Sequence, residues 1–425
     1  MPLRAQQIFV PGAYPEHTYV ERSGEGLEIA LKDALETTGQ VVSLSGPSKS
    51  GKTVLVERVV GRDFLIPVSG AGIKSPDDVW TRVLDWMDVP HSTSSTHKEG
   101  LAVRGEVKAS GGLTLPLVAK AEAGASTGAE VKGEMEQRRD GERRGLAQVV
   151  EEIANSDFAI LIDDFHYMDR TVQVDVAKSL KEAVRLGIKV VTAAVRHRGD
   201  DVVRANPELR GRVRAIDLNY WSWGELQQIA LTGLHLLNAT MPDDVIESFI
   251  VEAAGSPQLM QLMCLHACFV LGLREPSMLV RRKPDPDPEK VRQILEQTSA
   301  NTDFRSLVDV LEAGPKTRGT ERREYDFKDG TRGDVYRCVL KALAADPPGL
   351  SFPYDKLLER TAGVCSGGTP VGSSVAGTCL HMSKLAQEKF PNERAIDWDE
   401  QKQILDIPDP YLVFYLRWSG RLRED

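Results

Sequence analysis

The sequence predicts an α/β protein: a parallel sheet built from strand–loop–helix units, then a helical segment, then a small C-terminal domain of three helices and a two-stranded wing. Three observations predict it. A β-branched run, Gln40 to Ser45, leads into a glycine-containing loop and then a helix. A second apolar run, Phe158 to Ile162, ends in a pair of carboxylates. Near the C-terminus, three helix-like segments precede two short strands around a turn.

The first unit is the most specific. Gly46-Pro47-Ser48-Lys49-Ser50-Gly51-Lys52-Thr53 fits G-x-x-x-x-G-K-[ST] in full, and Thr53 to Val60 reads as helix. A phosphate-binding P-loop needs that strand–loop–helix context. Its glycines let backbone N–H groups turn inward on phosphate, and the helix N-terminus adds the positive end of a dipole. The stretch from Gly46 to Val54 is therefore expected to hold ATP or ADP. Lys52 should neutralise the β- and γ-phosphates, and Thr53 should offer its hydroxyl to Mg²⁺.

Further along, Asp77–Asp88 reads as a helix. Residues 101–134 follow, alternating small apolar with charged side chains over two runs. Period two predicts a long inserted hairpin, against which stands disorder, because Ala, Gly and Glu are poor strand formers. The run Phe158–Ile162 is continuously apolar, as a central parallel strand covered on both faces should be. It ends in Asp163, expected to hold Mg²⁺ through water, and Asp164, expected to orient the attacking water. An Asp is shorter than a Glu, so slow hydrolysis is expected. After a helix at Arg170–Leu186, the strand GIKVVTAAVRHR ends in Arg196, His197 and Arg198. A group that senses the γ-phosphate belongs there, with Thr192 inside the strand as another candidate. Arg204, Arg210, Arg212 and Arg214 follow. One of them is expected to act in trans on a neighbour's nucleotide, and Arg210 and Arg212 are the two put forward as catalytic.

In this ordered set the chain resembles the AAA+/STAND branch of P-loop ATPases. It is similar to the archaeal-ATPase-like group, which in turn resembles archaeal origin-recognition initiators. The resemblance is carried by GPSKSGKT, LIDDFHYM, VVTAAVRHR and VRAIDL-x-x-W-S-x-x-E-L, and by the later AAGSPQLMQLMCLHAC. It implies a lid helix introduced by Gly255-Ser256-Pro257, with Pro257 at the nucleotide. Gln258 stands where a sensor arginine would follow. It also implies an adenine-side segment in HTYVERSGEGLEIALKDAL, with Tyr19, Val20 and Arg22 at the base. The likeness runs roughly over residues 15 to 273, with 101–134 as an insertion. It continues in a C-terminal winged helix ending DPYLVFYLRW. It further implies a homo-oligomer, and a role in phage defence or mobile-element control comes from the resemblance alone.

These readings divide the chain into an ATPase core at 1–220, a helical lid at 221–280, a linker at 281–330 and a winged-helix domain at 331–425. The third winged-helix segment, Ser373 to Glu388, offers His381 and Lys384 but no Arg. The wing carries Asp397, Asp399 and Glu400, which repel phosphate. Basic residues instead sit in the expected linker, at Arg281, Arg282, Lys283, Lys316, Arg318, Arg322 and Arg323.

Bulk composition narrows the classes. The chain has 425 residues, 41% hydrophobic and 27% charged, with a formal charge of −9. That balance argues against nucleic-acid binding by bulk electrostatics. Five scattered cysteines, at 264, 268, 338, 365 and 379, fit a reducing compartment better than a disulfide framework. No apolar run is long enough for a membrane span, and the start lacks the pattern of a secretory signal, so a cytoplasmic protein is expected. The function expected is a slow regulatory ATPase switch that oligomerises or engages a protein partner. The alternative is a DNA-binding or DNA-remodelling ATPase of the initiator or transposition-regulator type.

Overall fold

A computed structural model describes residues 2–22, 24–89, 144–195, 207–316, 322–390 and 395–423. The expected hairpin at 101–134 lies outside the described residues, as do Arg196, His197, Arg198, Arg204 and Arg318.

The core is a five-stranded sheet of β1 (Val41–Ser45), β2 (Leu65–Ser69), β3 (Ala159–Asp163), β4 (Lys189–Ala194) and β5 (Val213–Asp217). Its order is β2-β3-β4-β1-β5, and every pairing is parallel. The α/β reading is correct. Alternation along each strand sends side chains to opposite faces, and both faces are covered. On one face Val41, Ile66, Ile160, Ile162 and Val190 pack against α4 (Pro76–Trp86), α5 (Leu146–Ile153) and α6 (Arg170–Arg185). On the other, Val42, Leu44, Leu161 and Val191 pack against α2 (Leu27–Glu36) and α3 (Lys52–Val60). A still earlier turn, α1 (Ala5–Ile8), belongs to the lid instead. Strand β2 contains Pro67, which cannot donate to a ladder. It is tolerated because β2 lies at the sheet edge.

The lid consists of α7 (Trp223–Leu236), α8 (Asp243–Ala253) and α9 (Pro257–Val270) around a core that also receives Ile8 and Phe9. Within the stretch 281–330, expected as a linker, two helices are built into two cores. Ile294 and Leu295 of α10 (Pro288–Ala300) join the lid core, and Leu307, Val308 and Leu311 of α11 (Arg305–Ala313) join the C-terminal core. The Pro/Asp density that suggests a linker is here a helix start. The Asp287 carboxylate accepts from Lys290 N at 2.8 Å, and Pro288 takes the first helical position. Next come a two-residue ribbon of β6 (Tyr325–Asp326) and β7 (Arg332–Gly333).

The C-terminal domain runs α12 (Val335–Ala344), β8 (Ser351–Pro353), α13 (Tyr354–Val364), α14 (Gly372–Lys389), β9 (Asp397–Asp399) and β10 (Ile404–Asp406). Its antiparallel sheet has the order β8-β10-β9, which is the winged-helix arrangement expected from the sequence. The final helix, α15 (Pro410–Trp418), is apolar on every side as far as Leu416, and residues 410–416 are all buried. Tyr411 and Phe414 enter the lid core, while Leu412, Val413, Tyr415 and Leu416 enter the C-terminal core. Arg417 of α15 makes a bidentate pair with Glu252 of α8, at 2.6 and 2.8 Å, and Trp418 Nε1 donates to the same carboxylate at 2.7 Å. No helix among the described residues is long and apolar enough to cross a membrane.

Candidate nucleotide site

Parallel strands point their C-terminal ends at one edge of the sheet, and the loop after β1 occupies that edge beside the ends of β3 and β4. Gly46 begins the loop because nothing larger fits. A Cβ there would lie 2.8 Å from Leu218 Cβ and 3.0 Å from Leu218 O. Leu218 is held in place by its N–H, which donates to Ser45 O at 2.7 Å. Within the loop Lys49 adopts a left-handed conformation, φ 58°, of the kind that persists when surrounding structure over-determines it. Trp221 Nε1 donates to Ser50 O at 2.9 Å and pins the loop from the lid side.

Lys52 opens α3, and its Nζ donates to Gly46 O at 3.1 Å and Pro47 O at 2.7 Å. Burial lowers its pKa, and the facing Asp163 and Asp164 oppose that effect. Thr53 Oγ1 donates to Asp163 Oδ2 at 2.7 Å, so the hydroxyl and carboxylate expected at a metal converge on one point. Hard oxygen donors of this kind suit Mg²⁺, which is commonly bound through one or two carboxylates plus phosphate and water. Among the described residues no group of three or more His, Cys, Asp or Glu could hold a metal alone.

Asp164 follows Asp163 in a left-handed turn, φ 55°. The turn is pressed against Gly70 at the end of β2, whose N–H donates to Asp163 O at 2.6 Å. A Cβ on Gly70 would sit 2.4 Å from Asp164 O, so a glycine is required by close backbone approach. Burial raises the pKa of Asp164, the neighbouring Asp163 raises it further, and Lys52 opposes both.

A cavity of about 390 Å³ extends from this loop, within the range of small-molecule sites. Lys52, Thr53, Asp163 and Asp164 line it together with residues 10–15 and 18–20, and Ile229, Pro257, Gln258 and Gln261 line it from the lid. Tyr19 and Arg22 both line it, with their polar groups engaged elsewhere. Tyr19 OH donates to Glu28 Oε1 at 2.6 Å, and its pKa is raised by burial and then by Glu28. Arg22 is buried and bonded to Glu225, Glu25 and Asn219 O, which makes it a strut between the N-terminal segment and the lid. The inward alternative for the sensor, Thr192, is corrected. Its hydroxyl is buried mid-strand and faces Val42 O at 3.4 Å, while Val195 is the described residue of that strand end at the cavity.

Arg210, Arg212 and Arg214 are exposed and line no part of the cavity. Arg212 O accepts from Val41 N at the start of β1, about 13 Å of strand away from the P-loop end. They cannot reach this chain's own site.

Two features escape sequence reasoning. Lys49 Nζ lies 3.2 Å from Asp409 Oδ2 and 4.1 Å from the Tyr411 ring centroid, at the start of α15. Gln261 lines the cavity from the second turn of α9. The first joins residues 360 positions apart and had no local signal; the second sits in an apolar helix where a lone Gln is easily passed over.

The parallel sheet with its phosphate-loop motif and the small C-terminal antiparallel sheet give this chain the fold of P-loop ATPases of the AAA+ type, a fold that implies a nucleotide site. A Walker-type ATPase of Pyrococcus abyssi is similar over 94% of this chain and 96% of its own, at 14% identity and a TM-score of 0.50. The ORC2 protein of Aeropyrum pernix matches over 98% and 95% of the two chains, at 12% identity and a TM-score of 0.48. Cdc6p of Pyrobaculum aerophilum matches over 97% of each, at 13% identity and a TM-score of 0.42. No family model matches the chain, and no curated protein sequence does.

Proposed function

We propose that this chain binds ATP in the cavity above α3, hydrolyses it slowly, and uses the nucleotide to set the position of its winged helix. The observation that carries this reading is the contact of Lys49, inside the P-loop, with Asp409 and Tyr411. Asp409 also caps α15, accepting from Tyr411 N at 3.0 Å, so one carboxylate both starts the last helix and holds the phosphate loop. A triphosphate arriving at the loop competes for the Lys49 ammonium. The ion pair is partly exposed and modest, which suits a contact that must break; couplings between sites typically run to about 1–3 kcal/mol.

Lys52 serves the phosphates, and Asp164 orients the attacking water. Mg²⁺, when bound by Thr53 and through water by Asp163, would draw charge from the β- and γ-phosphate oxygens. Pro257 and Tyr19 shape the wall of the nucleotide cavity, with Arg22 bracing it. Lys52→Ala should abolish ATP binding, read by titration with a fluorescent ATP analogue; unchanged affinity removes the site assignment. Asp164→Asn should keep binding and lose turnover.

For the output, DNA is favoured by one observation: α14 occupies the third-helix position of a winged helix, which in such folds enters the major groove. Ser373, Ser374, His381 and Lys384 are exposed along it. The acidic wing limits its affinity. Binding to duplex DNA that strengthens with ATP and falls steeply with salt supports this output; no binding even at low salt rejects it in favour of a protein partner. The defence and mobile-element roles rest on the sequence resemblance alone.

A further inference from the structure

We infer that the loop between α9 and α10 is a membrane-docking finger, which inserts Met278, Leu279 and Val280 into an anionic lipid bilayer while Arg281 and Lys283 meet its phosphates. The three apolar side chains are 86, 94 and 71% exposed, the highest values for large hydrophobic residues among those described. A single exposed apolar residue is ordinary; three in succession at a loop tip mark a contact surface.

The exposure is built into the loop by hydrogen bonds at its base. Ser277 N donates to Leu237 O at 3.3 Å, and Asn238 Nδ2 donates to Ser277 O at 2.9 Å. On the returning side Arg282 N donates to Asn238 O at 3.0 Å, and Thr240 N donates to Arg282 O at 2.9 Å. Val280 N closes the turn on Ser277 Oγ at 3.4 Å. The Arg282 guanidinium completes the base, donating to Gly272 O at 2.8 Å and to Glu275 O. Asn238 thus holds both ends of the loop onto the lid, and residues 278–280 are presented outward between them.

Charge decides the occupant. Arg281 and Lys283 are exposed and make no ion pair among the described residues. Glu275, on the approach to the tip, is already paired with Arg4 at 3.2 Å. Of the acidic residues that follow, Asp287 is turned onto the start of α10 and Asp285 is exposed. An apolar tip with free cations at its base matches a bilayer interface, where acyl chains lie beneath a layer of phosphates and both attractions add. Duplex DNA also sets phosphates around an apolar stack. Three neighbouring side chains fanned over up to about 7 Å of chain suit a continuous apolar layer better than the slot between two base pairs. The finger belongs to the lid surface, so the inference stands apart from the nucleotide reading.

Flotation of the full chain with lipid vesicles tests it, using phosphatidylcholine alone and phosphatidylcholine mixed with phosphatidylglycerol. The unmodified protein should float with the anionic vesicles and much less with the neutral ones. Met278→Ser with Leu279→Ser should weaken binding by about 10-fold or more, the scale of withdrawing two buried apolar side chains. Arg281→Glu with Lys283→Glu should weaken binding to the anionic vesicles by a similar factor. All four side chains are exposed or engaged with nothing in the body, so both variants should melt with the unmodified protein. No flotation of the unmodified protein at low salt overturns the inference, as does equal flotation with both vesicles. Undiminished flotation of either folded variant overturns it too. Loss of duplex-DNA binding or of self-association in Met278→Ser with Leu279→Ser, with no flotation of the unmodified protein, assigns the finger to that partner instead.

Discussion

Asp164 shows how one side chain can be placed by a residue nearly a hundred positions away. Its left-handed turn sits against the backbone of Gly70, so Gly70→Ala should cost roughly 1–3 kcal/mol, the usual penalty for overpacking. A lower denaturant midpoint with unchanged slope would record it, and ATP turnover should fall more than ATP affinity because Asp164 moves. The raised pKa of Asp164, from burial and then from Asp163, has a second consequence. A carboxyl whose folded pKa lies above its unfolded value favours the fold when protonated, and that contribution fades as pH rises through the folded value. At neutral pH the buried charge is therefore a burden. Asp164→Asn should raise the melting temperature at pH 7 while suppressing hydrolysis, and the gain should vanish at a pH below the ordinary aspartate range. A lower melting temperature at pH 7 would contradict this. At this scale the sequence was legible where chemistry is local. Lys52, Thr53 and Asp163 meet because a motif and a strand end converge, but Gly70 and Trp221 act through contacts that no spacing records.

Elements were legible in proportion to their punctuation. The strand–loop–helix of β1 and α3, the apolar β3 and the helix–helix–helix–wing order each carry clear periodicity and clear ends. Strand β2 hides because Pro67 interrupts it, and only its edge position makes that acceptable. Helix α10 hides because Asp287-Pro288 reads equally as a linker and as a cap. Helix α15 was legible as apolar, yet its role as a wedge between lid and C-terminal cores depends on which faces are covered. Its anchor to the lid is Arg417 on Glu252, both under 10% exposed. Glu252→Ala should destabilise the chain by roughly 3 kcal/mol, at the low end for breaking a buried pair because Asp346 still contacts Arg417. Thermal or denaturant unfolding measures it; a change under 1 kcal/mol would show that α15 is held by its apolar faces alone.

At the scale of the whole molecule, a catalytic role for Arg210 and Arg212 would require a second copy of the chain. Arg210 and Arg212 lie at the opposite end of the sheet from the P-loop, so any catalytic role must be served on a neighbour's nucleotide. Under that assignment, Arg210→Ala with Arg212→Ala should lower turnover by about 10³-fold, the scale of an arginine finger, with ATP affinity little changed. Turnover per chain should also rise with protein concentration; a concentration-independent rate would mean that the chain works alone. The same scale holds the central claim, that nucleotide at the P-loop releases α15 through Lys49 and so repositions the winged helix. Hydrogen exchange across residues 409–418, with and without a non-hydrolysable ATP analogue, measures it most directly. The account predicts faster exchange there when the analogue binds, and a smaller change in Asp409→Ala, whose contact is already broken. Identical exchange with and without bound nucleotide would contradict it.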